Sequence, residues 1–428
     1  MNKKLDSIFN SFVKWSAPWY GAYAILGAVT AALIPVLLPL MILSISGNIA
    51  YVGWVMGCYN LGLLSSPLSG SLADKKHMHR SIFFGGFIIL IIGMSLLPLC
   101  RSVFAFILTA FVIGAGTAAV ATVASLFIVE FSPQSEWSSR IGWLQSYNGA
   151  GQTLGLFLAA FFSGNNLFNT GMWFGAALLV PAVLIGHFGL PVKKAQGHKE
   201  RIIHTIDIRR IAKFGKTEFL GGGLLRHSHH LNLAALKNIG KLLSTNFGYF
   251  ILSWFIASFG VAAFFAYFPI VMKSAFLVPP GLTSLIYAIA GGIGIALYTA
   301  STKLSDRFGV KKIFRYGILL RLTGFLLMLI MIYTRISLTP FIACIGFTFI
   351  VLAWPVISVT GTTLTAELTT VSEGEAMGLY NASSAIATVL GTFAGAPLVN
   401  IIGYSAISIL GSAGLIIALL FTIKIKPA

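Results

Sequence analysis

Acidic side chains are scarce in this chain: eleven Asp and Glu stand against 29 Lys and Arg in 428 residues, and all charged residues together make up 9%. Soluble domains carry about 25% charged residues, because a water-facing surface has to be dressed in ionised groups, so a soluble globular fold is excluded. With 57% hydrophobic residues and a mean hydropathy of +0.89, lipid must cover most of the surface. Cysteine is nearly absent too. Cys58, Cys100 and Cys344 sit in apolar stretches without paired spacing, which excludes a disulfide framework and a cysteine-ligated zinc site. No Gly-x-x-x-x-Gly-Lys-Ser/Thr loop, nucleophile elbow or metal-ligand spacing occurs, so neither ATP hydrolysis in this chain nor an enzyme constellation is expected, and no cofactor. No small-residue cleavage site follows the first apolar run, which reads as a retained span.

What is present is long apolar runs. Crossing about 30 Å of hydrocarbon takes about 20 mostly apolar residues as helix, and only helices or closed barrels satisfy their backbone groups in lipid. Spans are expected near 18–44, 50–72, 81–99, 103–129, 139–163 and 169–190, then 246–272, 281–301, 313–334, 338–362, 376–399 and 402–423. The fold expected is all-α: twelve transmembrane helices in two parallel six-helix repeats. Residues 1–190 and 246–428 form the bundles, and a basic linker, 191–245, joins them. Basic residues mark the cytoplasmic side. With the N-terminus inside, 26 of the 29 Lys and Arg fall there and only Arg101, Lys273 and Arg335 outside, so both termini are expected in the cytoplasm of a cell inner membrane. The linker carries eleven Lys/Arg and a net charge of about +8; beside a membrane, anionic lipids rather than nucleic acid are its expected partner. Ile202–Ile211 could form an interfacial helix, and His227, His229 and His230 read as solvated linker.

Two cytoplasmic joints share one design. Gly70-Ser-Leu-Ala-Asp74-Lys75 leads through His77 to Arg80; Thr302-Lys-Leu-Ser-Asp306-Arg307 leads through Gly309 to Lys311 and Lys312. Glu130 and Glu136 are matched by Glu367 and Glu373, and Gly142 and Gly155 by Gly378 and Gly391, at offsets of 232–237 residues. The six-span halves therefore share one orientation. Parallel repeats place a substrate site near the mid-plane between them, with rocking of one half on the other as the transport step.

The joint after the second span resembles the signature of the major facilitator superfamily, Gly-x-Leu-Ala-Asp-Arg-x-Gly-Arg-Arg, in Gly70, Leu72, Ala73 and Asp74, with Lys75 keeping the first basic charge. The second copy keeps Leu304, Asp306, Arg307, Gly309 and Lys311. The resemblance covers essentially the whole chain and implies a monomeric transporter with no catalytic residues. A carboxylate can face the positive N-terminus of a neighbouring helix. Asp74 is expected to meet the eleventh helix near Gly374 and Asp306 the fifth near Ser138, as a conformational latch with Gly70, Lys75, Arg80, Arg307, Gly309 and Lys311.

The resemblance also implies a cavity lined by spans one, four, seven and ten, with contributions from two, five, eight and eleven. Candidate substrate-binding residues are Tyr23, Tyr59, Asn60, Gln145, Asn148, Gln152, Trp254, Tyr267, Tyr287, Trp354 and Asn381, with Thr117 beside them. Phe264, Phe265 and Phe268 make the seventh span especially aromatic. Gly151 and Gly155 match part of the Gly-Pro-x-x-Gly-Gly element of exporters, although close helix packing alone explains them; Gly391 and Gly395 are read as helix packing as well. All eleven acids lie at or beyond the cytoplasmic ends of spans, so no mid-membrane carboxylate marks a coupling ion, and proton or sodium use stays open. Glu130 is expected to bridge to Arg140, and His187 to be interfacial. No fixed counter-charge is found at mid-membrane. An aromatic and amide pocket without one suits small amphiphilic molecules, moved outward by this reading. An importer of a polar metabolite (sugar, nucleoside or amino acid) and a lipid-translocating or membrane-sensing protein are the alternatives.

Overall fold

A computed structural model describes residues 15–76, 78–133, 136–191, 245–334, 336–369 and 373–425. The linker features at Ile202–Ile211 and His227–His230 lie outside them. Twelve helical rods and no strand occur among the described residues. In the first half these are α1 (Tyr20–Ser46), α2 (Ala50–Leu63, continuing as Ser66–Lys76), α3 (His79–Leu99), α4 (Val103–Phe131), α5 (Trp137–Gly164) and α6 (Phe168–Gly189). In the second they are α7 (Asn246–Ser274), α8 (Pro280–Phe308), α9 (Val310–Thr334), α10 (Thr339–Leu368), α11 (Glu373–Ile402) and α12 (Ser405–Lys424). Among the described residues, ten helices are long and apolar enough to cross a membrane. The other two rods fall short for local reasons: α2 breaks at Leu64–Ser65, and α5 carries Arg140, Gln145, Asn148 and Gln152. The architecture is consistent with twelve crossings.

Local chemistry sets the helix ends. Ser102 accepts a hydrogen bond from the Ala105 amide at the start of α4, and Thr245 accepts one from Gly248 at the start of α7, each satisfying an otherwise orphaned donor. Gly309 ends α8 with φ +88°, a conformation that side chains with a Cβ rarely adopt; it makes the tight turn into α9.

The repeat legible in the sequence has a packing counterpart. A methyl group on Gly155 would overlap the Ala28 carbonyl of α1, and one on Gly391 would overlap the Phe259 carbonyl of α7. Helices five and eleven therefore lie against helices one and seven at backbone distance, in the same way in both halves.

The halves meet through α2 with α11 and α5 with α8. At the end away from the basic joints these pairs are tight. Gly164 of α5 abuts Gly281 of α8, and the Trp54 ring of α2 lies 5.6 Å from Phe393 of α11. Asn60 donates to Thr392 Oγ1 across the halves at 3.1 Å. Toward the basic end the contact is lost: Gly142 and Gly149 on α5, and Gly291 and Gly292 on α8, have open space around them, and Gln145 and Ser146 are exposed. The interior therefore opens toward the basic end and is closed at the other.

Candidate functional site

Helix α1 is interrupted by a π-helical segment, Val29–Leu33, a feature that recurs at functional sites and loosens the regular carbonyl ladder. Two side chains named from the sequence serve that segment. Gln152 on α5 donates to the Ala31 carbonyl at 3.3 Å, and the Tyr59 hydroxyl on α2 donates to the Thr30 carbonyl at 3.4 Å. Asn148 donates to the Tyr23 carbonyl at 3.4 Å, and Tyr23 itself reaches Gln145. Much of the amide-rich wall thus supports the backbone of α1. Gln145 is exposed near the widening between the halves.

The facing wall is aromatic. Trp254 of α7 stacks on Tyr380 of α11 at 4.6 Å and 16°, and on Trp354 of α10 at 6.2 Å and 29°. Phe250 also stacks on Tyr380, at 6.1 Å and 2°. Trp254 is buried, whereas Trp354 stays 44% exposed, so the stack has one open end. Asn381 is exposed next to Tyr380 in the chain. Tyr287 of α8 reaches Gln152 across the halves, at the level where α5 and α8 part.

Several candidates lie elsewhere. Tyr267 is fully buried with its hydroxyl against Gly53, and Tyr59 and Thr117 are buried within the first half. Asn60 is engaged by Thr392. Of the seventh-helix aromatics, Trp254 and Phe250 join the stack on Tyr380; Phe264 and Phe268 are sealed in the core, Phe268 stacked on Phe347 at 5.5 Å. These rings close the end away from the basic joints and do not line its interior.

The expectation of no fixed charge at mid-membrane is overturned by Arg321. Counted from the sequence with the cytoplasmic charge, it lies near the middle of α9 and is only 5% exposed. Its Nε donates to the Ile350 carbonyl of α10 at 3.2 Å, and its guanidinium lies 5.6 Å from the Trp354 ring, within cation–π range. A cation at the centre of a spanning helix costs about 3 kcal/mol on insertion scales. The signal was a lone basic residue inside an apolar run, in -Gly317-Ile-Leu-Leu-Arg321-Leu-Thr-. Tyr380 was not among the sequence candidates, although its neighbour Asn381 was.

At the basic end, the repeated joints have a partly structural role. Arg80 donates to the carbonyl of Leu190 just beyond α6, and Lys311 to that of Ile425 just beyond α12. In the second half Arg315 adds bonds to Thr422 near the end of α12. Each half thus ties the start of its third helix to the end of its sixth through basic side chains, a favourable place for cations because the C-terminal carbonyls are unsatisfied. Asp306 and Arg307 are exposed. The side chains of Asp74, Lys75, Ser138 and Gly374's surroundings lie outside the described positions. Glu130 pairs with His79 at 3.2 Å, while Arg140 pairs with Glu136 at 2.8 Å, one turn away on the same helix; the expected Glu130–Arg140 bridge is replaced by these two. His187 is exposed at the end of α6, between Phe84 and Phe188. Among the described residues no cluster of three metal-ligating side chains occurs.

Gly151 and Gly155 are accounted for by contact with the backbones of Ala24 and Ala28, and Gly391 and Gly395 by contact with α7. The glycines of α5 therefore carry no statement about transport direction.

The Major Facilitator Superfamily profile matches residues 19–372. Comparison with curated proteins gives no match. Among solved structures, a mutant of the nucleoside transporter NupG aligns with TM-score 0.71 at 13% identity, covering 96% of this chain and 99% of that one. A D-xylose–proton symporter aligns at 0.70 and 16% identity, covering 96% and 97%. An inward-open xylose transporter XylE from E. coli aligns at 0.65 and 16% identity, covering 96% and 95%. At such identities the likeness is one of fold.

Proposed function

The chain belongs to the major facilitator superfamily, a multi-pass membrane transporter family, and from that premise we propose that it moves small organic solutes by alternating access between its two halves. The observation that carries this is the splayed interface. Helices α5 and α8 touch at Gly164 and Gly281 and stand apart at Gly149 and Gly292, as expected of one end-state of a rocking pair. Residues 1–190 and 246–428 are the moving bodies, the joint 191–245 tethers them, and the basic end faces the cytoplasm of the inner membrane. The solute binds between the amide wall at Gln145 and the open stack of Trp354, Trp254 and Tyr380, surroundings suited to amphiphilic compounds.

Counterflow into proteoliposomes tests this, using labelled compounds from several chemical classes with and without a pH gradient. Saturable exchange of at least one compound is expected; none across the panel would overturn the reading. A second reading, uptake of a polar metabolite, draws on the likeness to nucleoside and xylose carriers. Uphill accumulation of a nucleoside or sugar under an inward pH gradient would favour it over export of amphiphiles.

The latch belongs to the same proposal. With the basic end open, Asp306 is exposed; on closing, it and Asp74 would meet the starts of α5 and α11, contacts of about 0.3–2 kcal/mol each. Asp306→Asn is therefore expected to slow counterflow several-fold at unchanged protein yield. A wild-type rate in that variant would remove the latch.

A further inference from the structure

We propose that Arg321, Trp254 and Trp354 form a recognition site for the carboxylate of an organic acid carried on a planar or apolar body. The proposal deepens the transport reading above and rests on it.

Two buried donors at the aromatic wall have no acceptor. Arg321 is 5% exposed, and with Nε given to the Ile350 carbonyl its Nη2 has no partner. Trp254 is 3% exposed, and its indole Nε1 has none either. Buried donors are ordinarily satisfied, and an orphan calls for an explanation. Both side chains contact Trp354, the guanidinium at 5.6 Å and the Trp254 ring at 6.2 Å, and Trp354 is the member of the stack that stays exposed. Donors without acceptors, beside an open aromatic face, call for a ligand that brings acceptors.

Charge narrows the ligand further. No acid lies inside a span to neutralise Arg321: the eleven carboxylates stand in the linker, in the N-terminal segment or at basic helix ends. A lone cation in the membrane interior is stabilised by an anion that arrives with the solute, and guanidinium matches a carboxylate in a two-pronged hydrogen bond. One guanidinium balances one negative charge, so a monoanion fits better than a doubly charged phosphate ester. The stacked plates of Trp354, Trp254 and Tyr380 favour a planar or apolar body beside the carboxylate. A purely structural tie between α9 and α10 would need only the Nε bond to Ile350 and would leave the charge and the second donor without purpose.

The test uses full-length protein with matched probes: benzoate and phenylacetate against their uncharged amides, benzamide and phenylacetamide. Binding is read by quenching of tryptophan fluorescence and by thermal stabilisation. A charge-assisted hydrogen bond is strong enough for the acids to bind at least about ten-fold more tightly than the amides. Arg321→Gln should abolish that preference, and Arg321→Lys should keep it at reduced affinity. Equal binding of acid and amide, no binding of either acid, or a preference that survives Arg321→Gln would each overturn the assignment. Should Arg321→Gln fail to fold, the acid–amide ratios of the wild type and of Arg321→Lys decide. Counterflow of uncharged solutes by the wild type separates the two readings. Exchange without acid binding refutes the anion site alone, and acid binding without exchange of any compound refutes transport alone.

Discussion

A tryptophan in place of Gly292 is expected to stop transport while leaving the protein folded. In the present state nothing lies within 4 Å of a methyl group placed there, or on Gly149 of the opposing helix, so a side chain leaves the helix there without a clash and the melting temperature is expected to stay near that of the wild type. Closing the basic end brings these two stretches of α5 and α8 together. An aromatic side chain of about 150–250 Å² would then act as a wedge where the closed state has room only for glycine. Initial counterflow rates should fall at least about ten-fold, and a cysteine placed at Gln145 should stay reactive to an impermeant thiol reagent from the basic side whether or not solute is present. Folded Gly292→Trp protein exchanging solute at the wild-type rate would show that this interface does not close, and the rocking mechanism would go with it.

The second large effect concerns assembly. Gly151→Leu should give little or no monodisperse protein. A side chain there would run into the carbonyl and Cα of Ala24, and backbone atoms can make way only if α1 and α5 separate. Overpacking of a close-packed interior costs about 1–3 kcal/mol when side chains can adjust; with backbone as the obstacle the cost exceeds that range. Small residues are what allow helices to pack this closely in lipid. Gly391→Leu should fail in the same way because it meets the Phe259 carbonyl of α7, whereas Gly142→Leu, on the same helix as Gly151 but in open space, should be tolerated. Fluorescence-detected size exclusion on the three variants checks the pattern. Normal yield of Gly151→Leu would mean that α1 and α5 are not in backbone contact.

The candidate site was only partly legible, and the reason is geometric. A spanning helix is apolar on every side, so composition does not show which face points inward. Tyr267 and Trp254 lie on the same helix and look alike in the sequence, yet the first is sealed against Gly53 and the second forms a stack with an open end. The amides of α5 were recognised as functional positions, but Asn148 and Gln152 turn out to hold the carbonyls of α1. Arg321 was misassigned because the positive-inside rule counts charges by their distance from helix ends. It does not register a guanidinium held inside by a carbonyl on the next helix.

Hydrophobic run length and the paired Asp-basic joints determined by themselves that this chain is a helical membrane protein built from two like-oriented halves, since backbone solvation in lipid allows only helices or closed barrels, continuous runs of about 20 apolar residues select helices, and the repeat lies in the order of residues. Which end stands open, which aromatics join the exposed stack, and where Arg321 sits depended on how helices lean and rotate against one another. Those angles are set by contacts between residues far apart in the chain, such as Gly164 with Gly281 and Arg321 with Ile350, and only the tertiary structure decided them.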